Sequence, residues 1–303
     1  MGYEVDTLVT AVRDFANLSP NVEASQATAL LRALNREQRL FLTALLEKCK
    51  QQHKQATLDD TTPNGSKTRF DIPTRAIAAG IKMVEGIGST GVRWMLHELP
   101  DDEYARGWPR NGDFYFEANQ IVFYAAPQTG TIRFTYPRRL SELVLLASVA
   151  PITAIAGGTI TATSPAGYPT AATSYDFVKA TPHFDILAMD KSATRSGNTF
   201  TFTAADVPSG LAVGDHVCLA GQSTVCQAPV ELHDVLALRV AVTYSAGKND
   251  SVVNAIKGFL REAMDNAAHL LNPRSTTEAV LINPNAPGWG SFRGGSGGSG
   301  VAP

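Results

Sequence analysis

The feature that most constrains the fold is a change of pattern along the chain. Helix-forming sequence at both ends encloses a β-patterned middle that carries few charges. No Asp, Glu, Lys or Arg occurs from Leu143 to Tyr175, although these residues make up 18% of the 303-residue chain. The range 151–228 carries only eight of them and is rich in Thr, Ser, Gly and Ala. This order predicts a helical frame closed by its two ends, with β structure projecting from it.

Apolar residues recur at helical spacing in four stretches. Near the N-terminus they predict a helix over 5–17 and a second, long helix over roughly 22–54, with a break near Asn35 as an open alternative. Towards the C-terminus the helical period returns after the β-patterned middle. Two helices joined by SAGKND (245–250) predict an antiparallel hairpin that ends before Pro273.

Short alternating runs fill the middle of the chain. The clearest signal is 112–139, where FYFE, QIVFY and TIRFTY are separated by turn residues and predict a three-stranded antiparallel meander. Short β-branched and aromatic runs follow in 151–228 and fit a small sheet or barrel. The apolar segment 143–156 is 14 residues long, too short for the roughly 20 residues of a membrane span. A buried strand or core helix is therefore expected there.

These patterns predict an α+β fold with a helical body from both chain ends, an antiparallel β meander and an inserted small β domain. The expected units, in order, are N-terminal helices, a meander region, the inserted β domain, a C-terminal helical hairpin that packs with the body, and an arm: 1–56, 57–150, 151–228, 229–272 and 273–303. The arm includes GGSGGSG, which is typical of a flexible linker.

The residue types that carry chemistry form no catalytic pattern. The acidic runs Asp59-Asp60 and 101–103 have no His or third carboxylate at ligand spacing, and the six histidines are scattered singly. The motifs GxxxxGK[ST], GxSxG, HExxH and CxxC do not occur. We expect no enzymatic activity, no cofactor and no metal.

Charge, the N-terminal sequence and cysteine content indicate the expected partners and cellular compartment of the protein. A net charge of −2 gives no global signal for nucleic acid or an anionic membrane, although it allows a locally charged face. The first residues, MGYEVDTLVTAVRDF, lack the basic region and apolar run of a signal peptide, so a soluble, non-exported chain without a membrane partner is expected. Cys49, Cys218 and Cys226 lack metal-like spacing. A Cys218–Cys226 bridge is one alternative, and reduced thiols are favoured.

Two groups of residues are candidates for contacts with partners. Arginines flank the aromatic residues of the third predicted strand, an arrangement suited to phosphate contact and stacking: Arg133, Arg138 and Arg139. The alternative is a strand whose arginines face solvent or a neighbouring subunit. The arm carries isolated aromatic and basic residues that suit a partner's pocket: Arg274, Trp289, Phe292 and Arg293. An unbound arm is the alternative.

Several passages occur in an order that has a known counterpart. A helical N-terminal stretch leads to GDFYFEANQIVFYAAPQTGTIRFTYPRRLSELV (112–144), and the more specific passages are FDILAMD (184–190), GLAVGDHVCLAGQSTVCQAPVELHDVLALRVA (210–241) and a helix that ends LLNPR (270–274). Together they are distributed along the chain from the N-terminal helices to Arg274. In this order they resemble the head-to-tail adaptor (neck or connector) proteins of tailed bacteriophages.

The resemblance implies a structural virion protein at the head–tail junction, made in the host cytoplasm. Such a protein binds the portal as a homo-oligomeric ring, commonly of twelve copies, and extends the DNA channel towards the tail. The implied partners are the portal protein, tail nozzle, tube or fibre proteins, neighbouring copies, and genomic DNA through non-specific contact. The resemblance makes Arg133, Arg138 and Arg139 candidates for channel or inter-subunit contacts, and the arm a candidate for portal docking.

Charged residues are depleted at the centres of protein interfaces, so a charge-poor β insertion suits contacts with neighbours. The isolated protein is expected to be monomeric or weakly associated and to form a ring on the portal. Two alternatives belong to other classes. One is a glycan- or receptor-binding, tail-associated module that uses exposed aromatic residues of the β segment. The other is a cell-wall hydrolase with an acidic pair in a cleft.

Overall fold

The molecule is known as a computed structural model. The structure describes residues 4–18, 24–42, 55–60, 67–77, 80–99, 113–124, 131–180, 185–246 and 250–271. These residues form a helical body, two antiparallel sheets and a closed β barrel. The expected α+β class, with a helical body, a meander and an inserted small β domain, is confirmed.

Helices from both ends of the chain form one body. They are α1 (Val5–Phe15), α2 (Ala24–Glu37), α3 (His233–Ser245) and α4 (Asp250–Leu271). Helix α3 is apolar on nearly all sides, as a fully enclosed helix must be, and the other three pack around it. Helix α1 buries the stripe that its spacing predicts: Val5, Leu8, Val9 and Val12. The shared core therefore joins segments more than 200 positions apart.

The described residues cover the first part of the second predicted helix. Helix α2 ends at Glu37 and continues as a wider π-helical turn, Gln38–Leu42. The rest of the predicted helix, 43–54, lies outside the described residues. A strand already begins at Gln55.

Two antiparallel sheets follow α2. One contains β1 (Gln55–Asp60), β3 (Met83–Ile87), β4 (Arg93–Met95) and β7 (Thr131–Pro137), in the order β1-β7-β3-β4; the other contains β2 (Arg69–Asp71), β5 (Phe114–Glu117) and β6 (Gln120–Phe123), in the order β2-β6-β5. Aromatic side chains from both sheets share one core: Phe70, Phe114, Phe123 and Phe134.

The three runs in 112–139 all form strands, but they do not form one meander. Strands β5 and β6 make the expected hairpin, whereas β7 pairs with β1 and β3 in the other sheet. The alternation of apolar residues identifies a strand with one buried face, and it carries no information about which strand lies beside it. A consecutive antiparallel meander occurs instead in the barrel, in strands β11 to β13.

Six strands close the barrel: β9 (Ala150–Ala156), β10 (Thr159–Ala162), β11 (Thr173–Val178), β12 (Ile186–Ser196), β13 (Thr199–Phe202) and β14 (His216–Leu219). Their order around the barrel is β10-β13-β12-β11-β14-β9, and all neighbours are antiparallel. The sequence β14-β11-β12-β13 is a Greek key. The second half of the apolar segment 143–156 enters this barrel as strand β9, so of the two expected alternatives, a buried strand or a core helix, a strand forms there; only Ala150 and Ile152 of it are buried.

Aromatic rings fill the barrel. The largest members of its core are fully buried: Tyr175, Phe177 and Phe200. The rings of Tyr175 and Phe200 meet edge to face, with centroids 5.2 Å apart, a favourable arrangement of aromatic quadrupoles. Cys218 and Cys226 are buried and unbridged, so the reduced-thiol alternative holds for these two; Cys49 lies outside the described residues.

The chain enters and leaves the barrel side by side. Strand β8 (Glu142–Leu143) precedes the barrel, β15 (Gln222–Ser223) follows it, and the two pair in parallel. The start of α1 docks beside them, where the Val5 N–H donates to the Thr224 carbonyl at 2.8 Å. The barrel is therefore an insertion whose two connections are held together against the helical body.

Candidate interaction surfaces

A buried ion pair joins the barrel to the sheets. Arg75, in the segment after β2, donates two hydrogen bonds to the Asp176 carboxylate of β11, at 2.7 and 2.9 Å, and one to Asp190 of β12 at 2.9 Å. Asp176 is fully buried and also accepts hydrogen bonds from the main-chain N–H groups of Asp190 and Gly221, each at 3.0 Å. Four donors thus satisfy one buried carboxylate.

The backbone around this ion pair is shaped to supply those donors. The β11–β12 ladder bulges between Tyr175 and Phe177, opposite Asp190, whose φ is +55°. Burial raises the pKa of the Asp176 carboxyl, and the Arg75 guanidinium and the two N–H groups act in the opposite direction. Because a buried carboxylate is stable only with such partners, the ion pair fixes the barrel in one position relative to the sheets.

Arg138, at the end of β7, is a second buried arginine. Its guanidinium lies 3.5 Å from Asp185, donates to the side-chain oxygen of Gln227 at 3.2 Å, and lies 3.6 Å from the Met189 sulfur. Burial lowers the pKa of Arg138, and the charge of Asp185 partly offsets this. The guanidinium is bound inside the chain and is only 6% exposed. The expected channel or inter-subunit contact of Arg138 stays a prediction.

The other two predicted arginines lie at more open positions. Arg133 is half-buried on β7, with Asp59 of β1 and Glu85 of β3 as its neighbours in the ladders. Arg139 is exposed, and its main-chain N–H donates to the Arg75 carbonyl at 2.7 Å. The Arg139 side chain lines a cleft of about 310 Å³ beside the barrel junction. The predicted arm residues, Arg274, Trp289, Phe292 and Arg293, lie outside the described residues.

A row of exposed arginines lies on α2 and the turn that follows it. We call Arg32, Arg36 and Arg39 the arginine face; they are spaced by four and three residues and line a cleft of about 340 Å³. The helix is predicted from the spacing of its apolar residues, which gives no information about the polar residues on its exposed side. The signal for this face is nevertheless in the sequence, as three arginines at helical spacing.

Buried amide side chains next to the arginine face fasten the same segment to the body. Asn35 donates to the Leu143 carbonyl at 2.9 Å and accepts from the Leu143 N–H at 2.7 Å. One turn later, Gln38 donates to the Ser141 carbonyl at 2.8 Å. Because these amides are buried, they hold the arginine face in a fixed orientation above the β8 segment.

Two separate elements each expose more than one large apolar side chain. The β3–β4 hairpin exposes Val92, Trp94 and Met95, and helix α4 exposes Phe259 and Met264. Gly86 of β3 makes room for the Trp94 ring, since a Cβ at that glycine would lie 2.6 Å from ring atoms. Trp94 is therefore held against its own hairpin while still 39% exposed. Such surfaces are typical of protein contact sites.

The barrel adds an exposed surface without charge. On the β9–β10 hairpin the outward positions are small and uncharged, including Thr153, Ala154 and Thr159. The charge-poor sequence is thus only partly explained by burial. In contrast, the aromatic residues of the barrel that the structure describes are all buried: Tyr168, Tyr175, Phe177, Phe200 and Phe202.

Within the described ranges, no group of three or more His, Cys, Asp or Glu side chains is placed to hold a metal ion. Nor does any helix in that part of the chain have the length and apolar character needed to cross a membrane. No family model matches the chain, and no curated protein matches it. The resemblance to phage adaptors stays a prediction.

Proposed function

We propose that this protein is a head-to-tail adaptor of a tailed bacteriophage particle. It assembles as a ring under the portal at the head–tail junction, commonly with twelve copies, extends the DNA channel and gives tail nozzle, tube or fibre proteins a surface to bind. Its role is mechanical, because it supplies matched interfaces and a path for DNA.

The observation that carries this proposal is the single helical body formed by both chain ends. Helix α3 packs against α1 and α2 from the N-terminal part of the chain and against α4 from the C-terminal part. The sheets and the barrel are inserted into this frame, and the barrel's two connections leave side by side through β8 and β15. A frame of this kind gives each subunit a constant core from which β units reach neighbours.

The surface of the frame supports assembly into a ring. A closed ring needs two different, complementary surfaces on each subunit. The β3–β4 hairpin and helix α4 both expose apolar side chains, and the β9–β10 hairpin exposes a surface without charge. Because charged residues are depleted at interface centres, these three surfaces are suited to contacts between copies or with tail proteins.

The glycan- or receptor-binding alternative is less well supported. Carbohydrate recognition of that kind uses aromatic rings on the surface as stacking platforms. The barrel's rings are committed to its interior, where Tyr175 and Phe200 are fully buried. The barrel therefore serves this proposal as a rigid projection whose β9–β10 hairpin carries no charge.

The proposal is tested by sedimentation velocity on the full chain, alone and mixed with the portal protein of the same particle. Alone, the protein is expected to sediment as a monomer or a weak oligomer; with the portal, it is expected to join a complex that holds many copies. Failure to join the portal would refute the adaptor role. A stable ring without portal would refute the order of assembly and leave the role itself intact.

A further inference from the structure

We infer that the arginine face, together with Arg139, binds the phosphate backbone of double-stranded DNA without regard to sequence. This inference rests on the proposed function, because it names the surface through which an adaptor subunit meets the genome. It is carried by the exposure, spacing, weak pairing and fixed orientation of these side chains.

Few carboxylates pair closely with the arginines of the arginine face. In the described part of the chain, Arg32 makes no ion pair. Arg39 lies 3.8 Å from Glu142, with both side chains more than half exposed, and exposed pairs of this kind contribute little. Arg36 contacts Glu37 at 3.2 Å, but Glu37 is bound more closely by Arg239, at 2.6 Å.

The local charge is therefore positive although the whole chain is slightly negative. Among the described residues, three arginines and one glutamate line the α2 cleft, an excess of two positive charges, and the nearby Glu37 is paired with Arg239. Arginine binds phosphate oxygens with a planar fork of donors. Because the whole chain has a net charge of −2, a polyanion would be attracted to this basic face and not to the protein surface in general.

The dimensions suit a polyanion with closely spaced charges. At 1.5 Å per residue, Arg32 and Arg39 are about 10 Å apart along the helix. Duplex DNA carries one negative charge per about 1.7 Å of its axis, so several phosphates fall within that span. The segment Arg139 to Glu142 extends the path, because Arg139 lines one cleft and Glu142 lines the other.

The composition of this face favours DNA over a protein partner. The centre of a protein interface is enriched in aromatic residues and Met as well as in Arg, and no described aromatic residue or Met lines this cleft. Here the exposed apolar residue in the cleft is Leu40, among three arginines. Asn35 and Gln38 hold the helix on the body, so the arginines are presented without a large ordering cost on binding.

The experiment compares the full-length wild-type chain with R32Q/R36Q/R39Q by fluorescence anisotropy, using labelled duplexes of two unrelated sequences. A matched control, R93Q/K257Q/R261Q, removes the same charge from exposed positions elsewhere. Glutamine keeps helix propensity near that of arginine, so the variants are expected to fold. Circular dichroism and thermal unfolding check this.

Wild type is expected to bind both duplexes equally at about 50 mM salt and to weaken steeply towards about 200 mM. The R32Q/R36Q/R39Q variant is expected to lose at least about tenfold in affinity and to show a salt slope smaller by about 2 to 3, while the control changes little. The inference is overturned if wild type does not bind, if the triple variant binds like wild type, or if the control loses as much.

The same variants separate this inference from the adaptor role. R32Q/R36Q/R39Q is expected to join the portal complex as wild type does. If it retains duplex binding but no longer joins the portal, the face belongs to a protein interface and the inference is wrong. If DNA binding depends on the arginines but wild type never joins the portal, the adaptor proposal fails and the inference stands.

Discussion

Arginine occupies two contrasting regions of this molecule. At the barrel junction, Arg75 and Arg138 are buried and contact acidic or amide side chains of the same chain. On the arginine face, Arg36 and Arg39 are more than half exposed and their acidic neighbours are shared or distant. Arginine therefore holds parts of the chain together in one region and is available to a binding partner in the other.

This difference indicates that an arginine stabilises the fold when its acidic partner is buried and contributes little when that partner is exposed. An exposed ion pair contributes little, because water solvates both charges when they separate. A buried carboxylate such as Asp176 has no water to replace its arginine, so the pair cannot open cheaply. Arg75 is therefore expected to be structural, and the arginine face is expected to be nearly neutral for folding.

The largest expected effect is at the junction. Arg75→Met leaves the buried Asp176 without its guanidinium, and we expect a loss of about 3 kcal/mol in the free energy of unfolding, measured with chemical denaturant. The double variant R75M/D176L removes both charges and is expected to recover only part of that loss, because the main-chain N–H groups of Asp190 and Gly221 then lose their acceptor. A single-variant loss below that of an ordinary surface substitution would break the comparison.

Arg138→Met gives a matched contrast within the same region. Its acidic partner Asp185 is 45% exposed and regains water when the guanidinium is removed, so the expected loss is about 1 kcal/mol. The ratio of the two losses, measured under identical denaturant conditions, tests whether partner burial sets the cost. Equal losses for Arg75→Met and Arg138→Met would show that it does not.

The junction is also expected to respond to pH through His216 of β14. Burial lowers the pKa of this imidazole below its usual 6.5, against the charges of Asp215 and Glu4. Because the folded-state pKa is depressed, its stabilising contribution is complete above pH 6.5 and is lost as pH falls through the folded-state pKa. His216→Gln is expected to flatten this decline in denaturant unfolding. An unchanged difference between wild type and variant across pH 7 to pH 5 would contradict it.

The smallest expected effect on stability is at the arginine face. R32Q/R36Q/R39Q is expected to change the free energy of unfolding by no more than about 0.5 kcal/mol, as exposed substitutions usually do. Thermal unfolding at matched protein concentration measures this. A loss as large as that of Arg75→Met would mean that these arginines support the fold, and the contrast between the two regions would disappear.

Periodicity in the sequence predicts which segments form helices and strands and which of their faces are buried. The stripe of α1, the hairpin of α3 and α4, and the run of short strands that closes the barrel all have such signals. Strand β7 shows the limit, because its alternating pattern is satisfied equally by any neighbouring strand. Its partners β1 and β3 lie far away in sequence.

The junction could not be read from sequence for the same reason. Arg75 and Asp176 are 101 positions apart, and each alone is an ordinary charged residue. Asp176 lies just after the charge-free stretch, which marks it as the first charge admitted into the barrel sequence. That position is the single hint of a buried role. The arginine face could have been predicted from the sequence, because three arginines at helical spacing are visible on the polar side of the predicted helix.

The most direct test of the account is an electron cryomicroscopy reconstruction of the particle neck. We predict a ring of this chain between portal and tail, with each helical body in the ring and the arginine face turned to the DNA channel. A neck reconstruction in which no ring of this chain lies between portal and tail would contradict the account.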